Sequence, residues 1–116
     1  MTSPDGITWT ERTSASGSTW WTSVASIGPQ VVAVSDTNGA PYVGMYSPDA
    51  ISWTQSTLPA TNNWRCVRNN LSTYVAVSDS GVGNRVMTST DGINWASQVS
   101  AADNAWKEVV WGPGVI

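Results

Sequence analysis

Few side chains in this sequence are suited to acid–base chemistry. The 116 residues include eight Asp and Glu, five Lys and Arg, and no histidine. Without histidine, the ordinary Ser-His and Cys-His nucleophile pairs cannot form. Glycosidase chemistry needs two carboxylates held at a defined separation across a cleft. Only Glu11, Asp103 and Glu108 stand outside a repeated pattern, and nothing in their spacing indicates such a pair.

Three of the remaining aspartates occupy one position in a phrase that occurs three times. The sequence reads SPDGITW at 3–9, SPDAISW at 47–53 and STDGINW at 89–95. An aspartate in such a turn can accept backbone N–H groups, a glycine relieves a positive φ, and the tryptophan packs as the next strand begins. Because Ala50 replaces this glycine, we expect the second turn to be relaxed or slightly different. The residues of this predicted structural turn are Ser3, Asp5, Gly6, Trp9, Ser47, Asp49, Trp53, Ser89, Asp91, Gly92 and Trp95.

The phrase belongs to a repeat of about 43 residues. WTSVASIGPQVVAVSD at 21–36 aligns with WRCVRNNLSTYVAVSD at 64–79. Short β-rich segments alternate with turn residues, and no window shows a helical period. In the second copy we predict strands at 65–69, 74–78, 85–89 and 93–98. An all-β protein with four antiparallel strands in each tandem unit is typical of β-propeller blades.

The phrase resembles the Asp-box, or bacterial neuraminidase repeat, of sialidase-like β-propellers, in a short variant that lacks the residue usually found between Asp and Gly. With the repeat, this implies one domain at 1–116, divided into a partial blade at 1–19, blades at 20–62 and 63–105, and a partial blade at 106–116. In that family the boxes are structural, and catalysis uses an arginine cluster, a Tyr/Glu pair and an Asp. Arg65 and Glu108 lie in first-strand segments that face a propeller's channel, but they do not form that motif.

The two ends of the chain match the interior of the repeat. Residues 1–5 align with 87–91, and residues 106–116 align with 64–74. We therefore expect an incomplete propeller in one chain, because closed propellers need about four to eight blades. Either several copies complete one another by sharing blades, or the chain is an excerpt of a longer polypeptide. We favour a homo-oligomer, first a dimeric ring, with a larger ring or a filament as alternatives.

Aromatic residues provide the candidates for binding. Six of the eight tryptophans recur in the repeat and are expected in the core: Trp9, Trp21, Trp53, Trp64, Trp95 and Trp106. An aromatic that does not recur can stack on a sugar ring or anchor a protein partner, although single surface aromatics are also ordinary. The candidate binding residues are Trp20, Tyr46, Arg65 and Trp111.

These features predict a non-catalytic scaffold or interaction module. A glycan-binding module is the alternative, and a fragment of a sialidase-like glycoside hydrolase is a third reading. We expect no metal and no other cofactor. The net charge of −3 and the scattered basic residues argue against nucleic acid as a partner, and the short apolar runs argue against a membrane. The composition, with few charged residues and abundant Ser, Thr, Asn and Gly, resembles that of exported or virion-surface proteins.

Overall fold

The computed structural model describes residues 1–15, 20–37 and 43–113. These residues form two four-stranded antiparallel sheets and contain no helix, so no described helix could span a membrane. Each sheet pairs its strands in chain order. Sheet I consists of β1 (Trp20–Ile27), β2 (Gln30–Asp36), β3 (Gly44–Ser47) and β4 (Thr54–Gln55). Sheet II consists of β5 (Trp64–Asn69), β6 (Tyr74–Ser78), β7 (Val86–Ser89) and β8 (Ala96–Gln98).

The strands of sheet II agree with the sequence prediction except at the last strand. Strands β5, β6 and β7 lie within one residue of the predicted bounds. The prediction that the fourth strand begins at Ile93 is wrong, because β8 begins at Ala96. The backbone N–H groups of Ile93 and Asn94 donate to the carboxylate of Asp91. These donors therefore belong to the turn and not to the strand pairing.

The repeat in the sequence is also a repeat of strand register. Val24 pairs with Ala33 in sheet I, and the equivalent residues pair in sheet II. The first strand of each sheet has a bulge just after its repeated tryptophan. Near the N-terminus, Thr2 and Thr10 form an antiparallel bridge, with N···O distances of 2.9 and 2.8 Å. Residues 1–12, called here the N-terminal hairpin, thus have the pairing of the last two strands of a sheet.

Apolar residues of the two sheets meet face to face and form one core. Val32 and Val34 of β2 are buried against sheet II. Burial of such side chains contributes about 1.5 to 3 kcal/mol each. The residues that sheet II contributes to this core are Trp64, Val67, Tyr74, Ala76 and Met87.

Hydrogen bonds across the interface set how the two sheets lie against each other. The hydroxyl of Tyr74 accepts the N–H of Ile27 at 2.8 Å and donates to the carbonyl of Gln30 at 2.7 Å. On the other side, the Ser23 hydroxyl accepts the N–H of Val67 at 3.1 Å. The tight turn between β1 and β2 is therefore held directly by a side chain of sheet II.

The expectation that the recurring tryptophans are core residues holds for some of them only. Trp64 is fully buried, and Trp95 packs against the core, 6.1 Å from the ring of Tyr74. The expectation is wrong for Trp9, which is 56% exposed. Trp64 is covered because a neighbouring sheet lies on it, whereas Trp9 belongs to a lone hairpin.

Candidate functional site

The three aspartate turns have one geometry. In each turn, one carboxylate oxygen accepts the N–H groups of the residues two and three positions later, at 2.8 Å. The serine two positions earlier donates its hydroxyl to the same oxygen at 2.9 to 3.0 Å. Gly6, Ala50 and Gly92 have φ angles of 75°, 60° and 74°. The alanine turn therefore differs from the glycine turns by a slightly smaller angle and by one hydrogen bond. The N–H groups of Gly6 and Gly92 donate to the serine hydroxyl at 2.8 Å, and that of Ala50 does not.

These hydrogen bonds stabilise the charged form of each aspartate. The N–H donors of the turn lower the pKa of Asp5 and of Asp49 below the ordinary value of 3.8. The pKa of Asp91 is lowered by the N–H of Asn94, then by the Asn94 side chain, which donates to the second carboxylate oxygen at 2.8 Å. A carboxylate held in this way is a poor proton acceptor, since protonation would break its hydrogen bonds, and near neutral pH it carries no proton to donate.

Arg65, a candidate binding residue, is held inside the fold by two aspartates. Its Nη1 lies 2.9 Å from the carboxylate of Asp36 in sheet I, and its Nε lies 2.6 Å from that of Asp79 in its own sheet. The hydrogen bond to Asp79 raises the pKa of Arg65 further. The guanidinium thus links the two sheets, and the Arg65 side chain remains 28% exposed.

Lys107 repeats this link, which the sequence reasoning did not find. Lys107 follows Trp106 as Arg65 follows Trp64, and it pairs with the same oxygen of Asp79. Burial opposes ionisation of Asp79, but the hydrogen bonds from Lys107 and then Arg65 outweigh it and lower the pKa. The alignment of the repeats contained the signal for this ion pair. A basic residue follows the repeated tryptophan, and an aspartate stands at the end of the second strand in the preceding unit.

The three aromatic candidates lie on different elements. Trp20 begins β1, pairs with Asp36 and is 64% exposed. Tyr46 lies on β3, pairs with Val32 and packs against the core. The indole N–H of Trp111 is buried without an acceptor among the described residues. Of the three, Trp20 is the most exposed.

The other charged groups suggest neither an acid pair nor a metal site. Glu108 pairs with Arg68 at 2.8 Å on the surface, and Asp103 lies 3.6 Å from Arg85. Within residues 1–15, 20–37 and 43–113, no three Asp, Glu or Cys side chains come close enough to hold a metal ion.

An open groove of about 630 Å³ lies over sheet II. Val75 and Val77 of β6 form its floor, and Val86 and Thr88 of β7 continue it. The opposite wall is the segment 106–110, and this feature is called the sheet II groove. In the repeat, Val75 and Val77 are the equivalents of Val32 and Val34, which sheet II covers. The groove therefore lies on the same face of the second sheet, where Val75 and Val77 are 2% and 6% exposed.

The far face of sheet I is the complementary surface. A cleft of about 360 Å³ on this face is lined by Trp21, Val24, Ala33, Met45 and Trp53. Their equivalents in sheet II form the face that packs on sheet I. Val24 is 60% exposed, whereas its equivalent Val67 is fully buried. Among the described residues, sheet I and sheet II cover each other on one face, and the opposite face of each sheet lines an open cleft.

Comparison of the chain with models of protein families, with curated proteins and with solved structures found no match.

Proposed function

We propose that this chain is a non-catalytic β-propeller scaffold of the Asp-box type, which assembles with further copies of itself by sharing blades. The observation that carries the proposal is the repeated interface. Val32 and Val34 are buried against sheet II, and their equivalents Val75 and Val77, which are 2% and 6% exposed, line a groove between sheet II and the segment 106–110. A face that buries apolar side chains against one sheet suits a second sheet of the same kind.

The charged residues support a scaffold role. The Asp36 carboxylate forms an ion pair with Arg65, and the Asp79 carboxylate forms ion pairs with Arg65 and Lys107. These ion pairs join neighbouring units of the repeat. Asp91 is the hydrogen-bond acceptor of its own turn. General acid or base catalysis needs a group that exchanges a proton with substrate, and these aspartates are used to hold the backbone and the sheets.

The preferred assembly is a dimeric ring, with a larger ring or an open filament as alternatives. The described part of each chain includes two unlike open clefts, the sheet II groove and the cleft on the far face of sheet I. Unlike faces that meet give a head-to-tail contact, which closes into a ring when the rotation per chain permits it. Protein is therefore the proposed partner, and that partner is the chain itself.

Light scattering of the 116-residue chain tests this proposal. We expect a molar mass that is a multiple of the 12.3 kDa chain mass, and ring-shaped particles by electron microscopy. A well-folded monomer at every concentration, with cooperative unfolding, would contradict assembly by shared blades.

A glycan-binding module is the second candidate, and the exposed indole of Trp20 is the observation that favours it. Aromatic rings stack on the apolar faces of sugars. A glycan array with the wild type, Trp20→Ala, Tyr46→Ala and Trp111→Ala measures this directly. Trp9→Ala is the matched control, because Trp9 is also an exposed tryptophan but recurs in the repeat. A saturable signal lost in Trp20→Ala and kept in Trp9→Ala would favour the glycan-binding role.

A sialidase-like hydrolase is the third candidate, and an assay of sialoside hydrolysis tests it. We expect no turnover of a fluorogenic sialoside, since Arg65 is bound by two aspartates and Glu108 pairs with Arg68. Turnover that disappears in Glu108→Gln or Arg65→Met would replace the scaffold proposal with an enzymatic one.

A further inference from the structure

We infer that the sheet II groove binds the N-terminal hairpin of a second copy of this chain, with Gly6 of that hairpin seated against Val75. This inference rests on the proposed function and specifies which segment of the second copy enters the groove.

The template is a close contact inside the chain. The aspartate turn of sheet II reaches over sheet I at Gly92, which is buried. A Cβ atom on Gly92 would lie 2.5 Å from Cγ1 of Val32 and 3.2 Å from the ring of Tyr74. Real Cβ atoms do not approach other carbons so closely, so the two sheets meet at this point only because the residue is glycine.

Backbone conformation alone does not require this glycine. Ala50 occupies the same position of the second turn at φ 60°, and its aspartate keeps the same two N–H hydrogen bonds. Alanine is therefore compatible with the turn. At Gly92 the additional requirement is the approach of Val32.

Gly6 has the conformation of Gly92 without its neighbour. Its φ is 75°, and no atom of the chain lies within 4 Å of the place where a Cβ would stand. The equivalent of Val32 in sheet II is Val75, which lies in the floor of the sheet II groove. In the repeat, the hairpin that carries Gly6 and the groove that Val75 lines correspond to the two halves of the internal contact. Gly6 has open space around it, and Val75 is 2% exposed.

The N-terminal hairpin already has the shape that this contact needs. Arg12 Nε donates to Thr2 Oγ1 at 2.9 Å, as Gln98 Nε2 donates to Thr88 Oγ1 at 2.9 Å in sheet II. Its strands are joined by the Thr2 and Thr10 bridge, the equivalent of the Thr88 and Ala96 pair. Little ordering would accompany binding, which favours association.

The hairpin of the same chain does not fill the groove. It lies beside the aspartate turn of sheet I, where residues 2–4, 10 and 12 share a cleft with Asp49, Ala50 and Ile51. The groove is on sheet II and is lined by Val75, Val77 and the segment 106–110. The hairpin that enters must therefore come from another molecule.

Sedimentation velocity over a concentration series tests the contact with Gly6→Ala. In its own chain the added methyl group meets nothing, and Ala50 shows that the turn tolerates alanine. We expect the self-dissociation constant to rise at least about tenfold, equivalent to roughly 1.4 kcal/mol. Gly28→Ala is the matched control, because Gly28 also has a positive φ of 56° and open space around it, and it should associate like the wild type.

A second variant removes the obstacle from the other side. Val75→Ala takes away the methyl groups that the new Cβ would meet, so the double variant Gly6→Ala/Val75→Ala should associate more tightly than Gly6→Ala alone. Circular dichroism checks that each variant is folded. Equal association of Gly6→Ala and wild type would overturn this inference and leave the proposed self-assembly in place. A wild type that stays monomeric at all concentrations would overturn both.

Discussion

At the scale of single residues, the aspartate of each turn acts by accepting hydrogen bonds. All the partners of Asp91 lie within three residues of it, and they comprise two backbone N–H groups, the Ser89 hydroxyl and the Asn94 amide. Such a group stabilises one local conformation and contributes little to surfaces elsewhere. The consequences of changing it should therefore appear in stability and not in binding.

Replacement of Asp91 by alanine is expected to lower the free energy of unfolding by about 1 to 2 kcal/mol, since two N–H groups lose their acceptor near solvent. Urea unfolding measures the loss. Thr90→Ala is the matched control, since Thr90 is the exposed neighbouring residue of the same turn and should change stability by less than about 0.5 kcal/mol. If the two variants were equally stable, the aspartate would not be the residue that holds the turn.

Stability should also depend on pH through these carboxylates. The pKa values of Asp5, Asp49, Asp79 and Asp91 are lowered in the folded chain. The unfolded chain therefore binds more protons at acid pH, and stability is present above the ordinary value of 3.8 and lost as the pH falls through the folded values. Urea unfolding from about pH 5 to about pH 2 should show this decline. The decline should be smaller in Asp91→Asn, and an unchanged profile in that variant would contradict the cause.

At the scale of elements, the two sheets are held by a repeated set of contacts. The sheets meet through apolar side chains, through Tyr74 on the turn between β1 and β2, and through the Arg65 pair with Asp36. The aspartate turn of sheet II adds the close approach of Gly92 to Val32. This last contact is the most sensitive to a small change, because both partners are buried and neither side has free space.

Gly92→Ala should destabilise the chain by about 1 to 3 kcal/mol, since the new methyl group overlaps Val32. Gly83→Ala is the control, because Gly83 has a similar positive φ of 70° with nothing within 4 Å. Both variants carry the cost of a left-handed alanine, so the difference between them measures the packing between sheets. A difference near zero in thermal unfolding would mean that the sheets separate easily at this point.

At the scale of the whole molecule, the proposed self-association would use the two open clefts. Val24 and Val110 are 60% and 74% exposed, and they lie on the far face of sheet I and on the wall of the sheet II groove. Exposed apolar side chains beside open clefts are candidates for sites of interaction. The chain is therefore expected to gain stability when a second copy covers them.

The unfolding temperature of the wild type should rise with protein concentration, because association stabilises the folded state by mass action. Differential scanning calorimetry over a wide range of concentrations measures this. Gly6→Ala, which is designed to weaken association, should show a smaller rise. A wild-type unfolding temperature independent of concentration would contradict assembly.

The sequence by itself determined the local parts of this protein. The three aspartate turns and the strands β5, β6 and β7 could be predicted, since the turn hydrogen bonds join residues within three positions and the strand pattern is short-range. Even here the start of β8 was missed, because Ile93 reads as a strand residue while its N–H belongs to the turn.

Only the tertiary structure decided how distant residues meet. The Arg65 pair with Asp36, the Lys107 pair with Asp79 and the approach of Val32 to Gly92 each join parts of the chain that are far apart in sequence. Equivalent residues also differ in burial, as Val24 and Val67 do. The physical reason is that burial and charge pairing depend on which sheet packs on a given face. The repeated units have similar residues on equivalent faces, so the sequence does not show which of these faces another sheet covers.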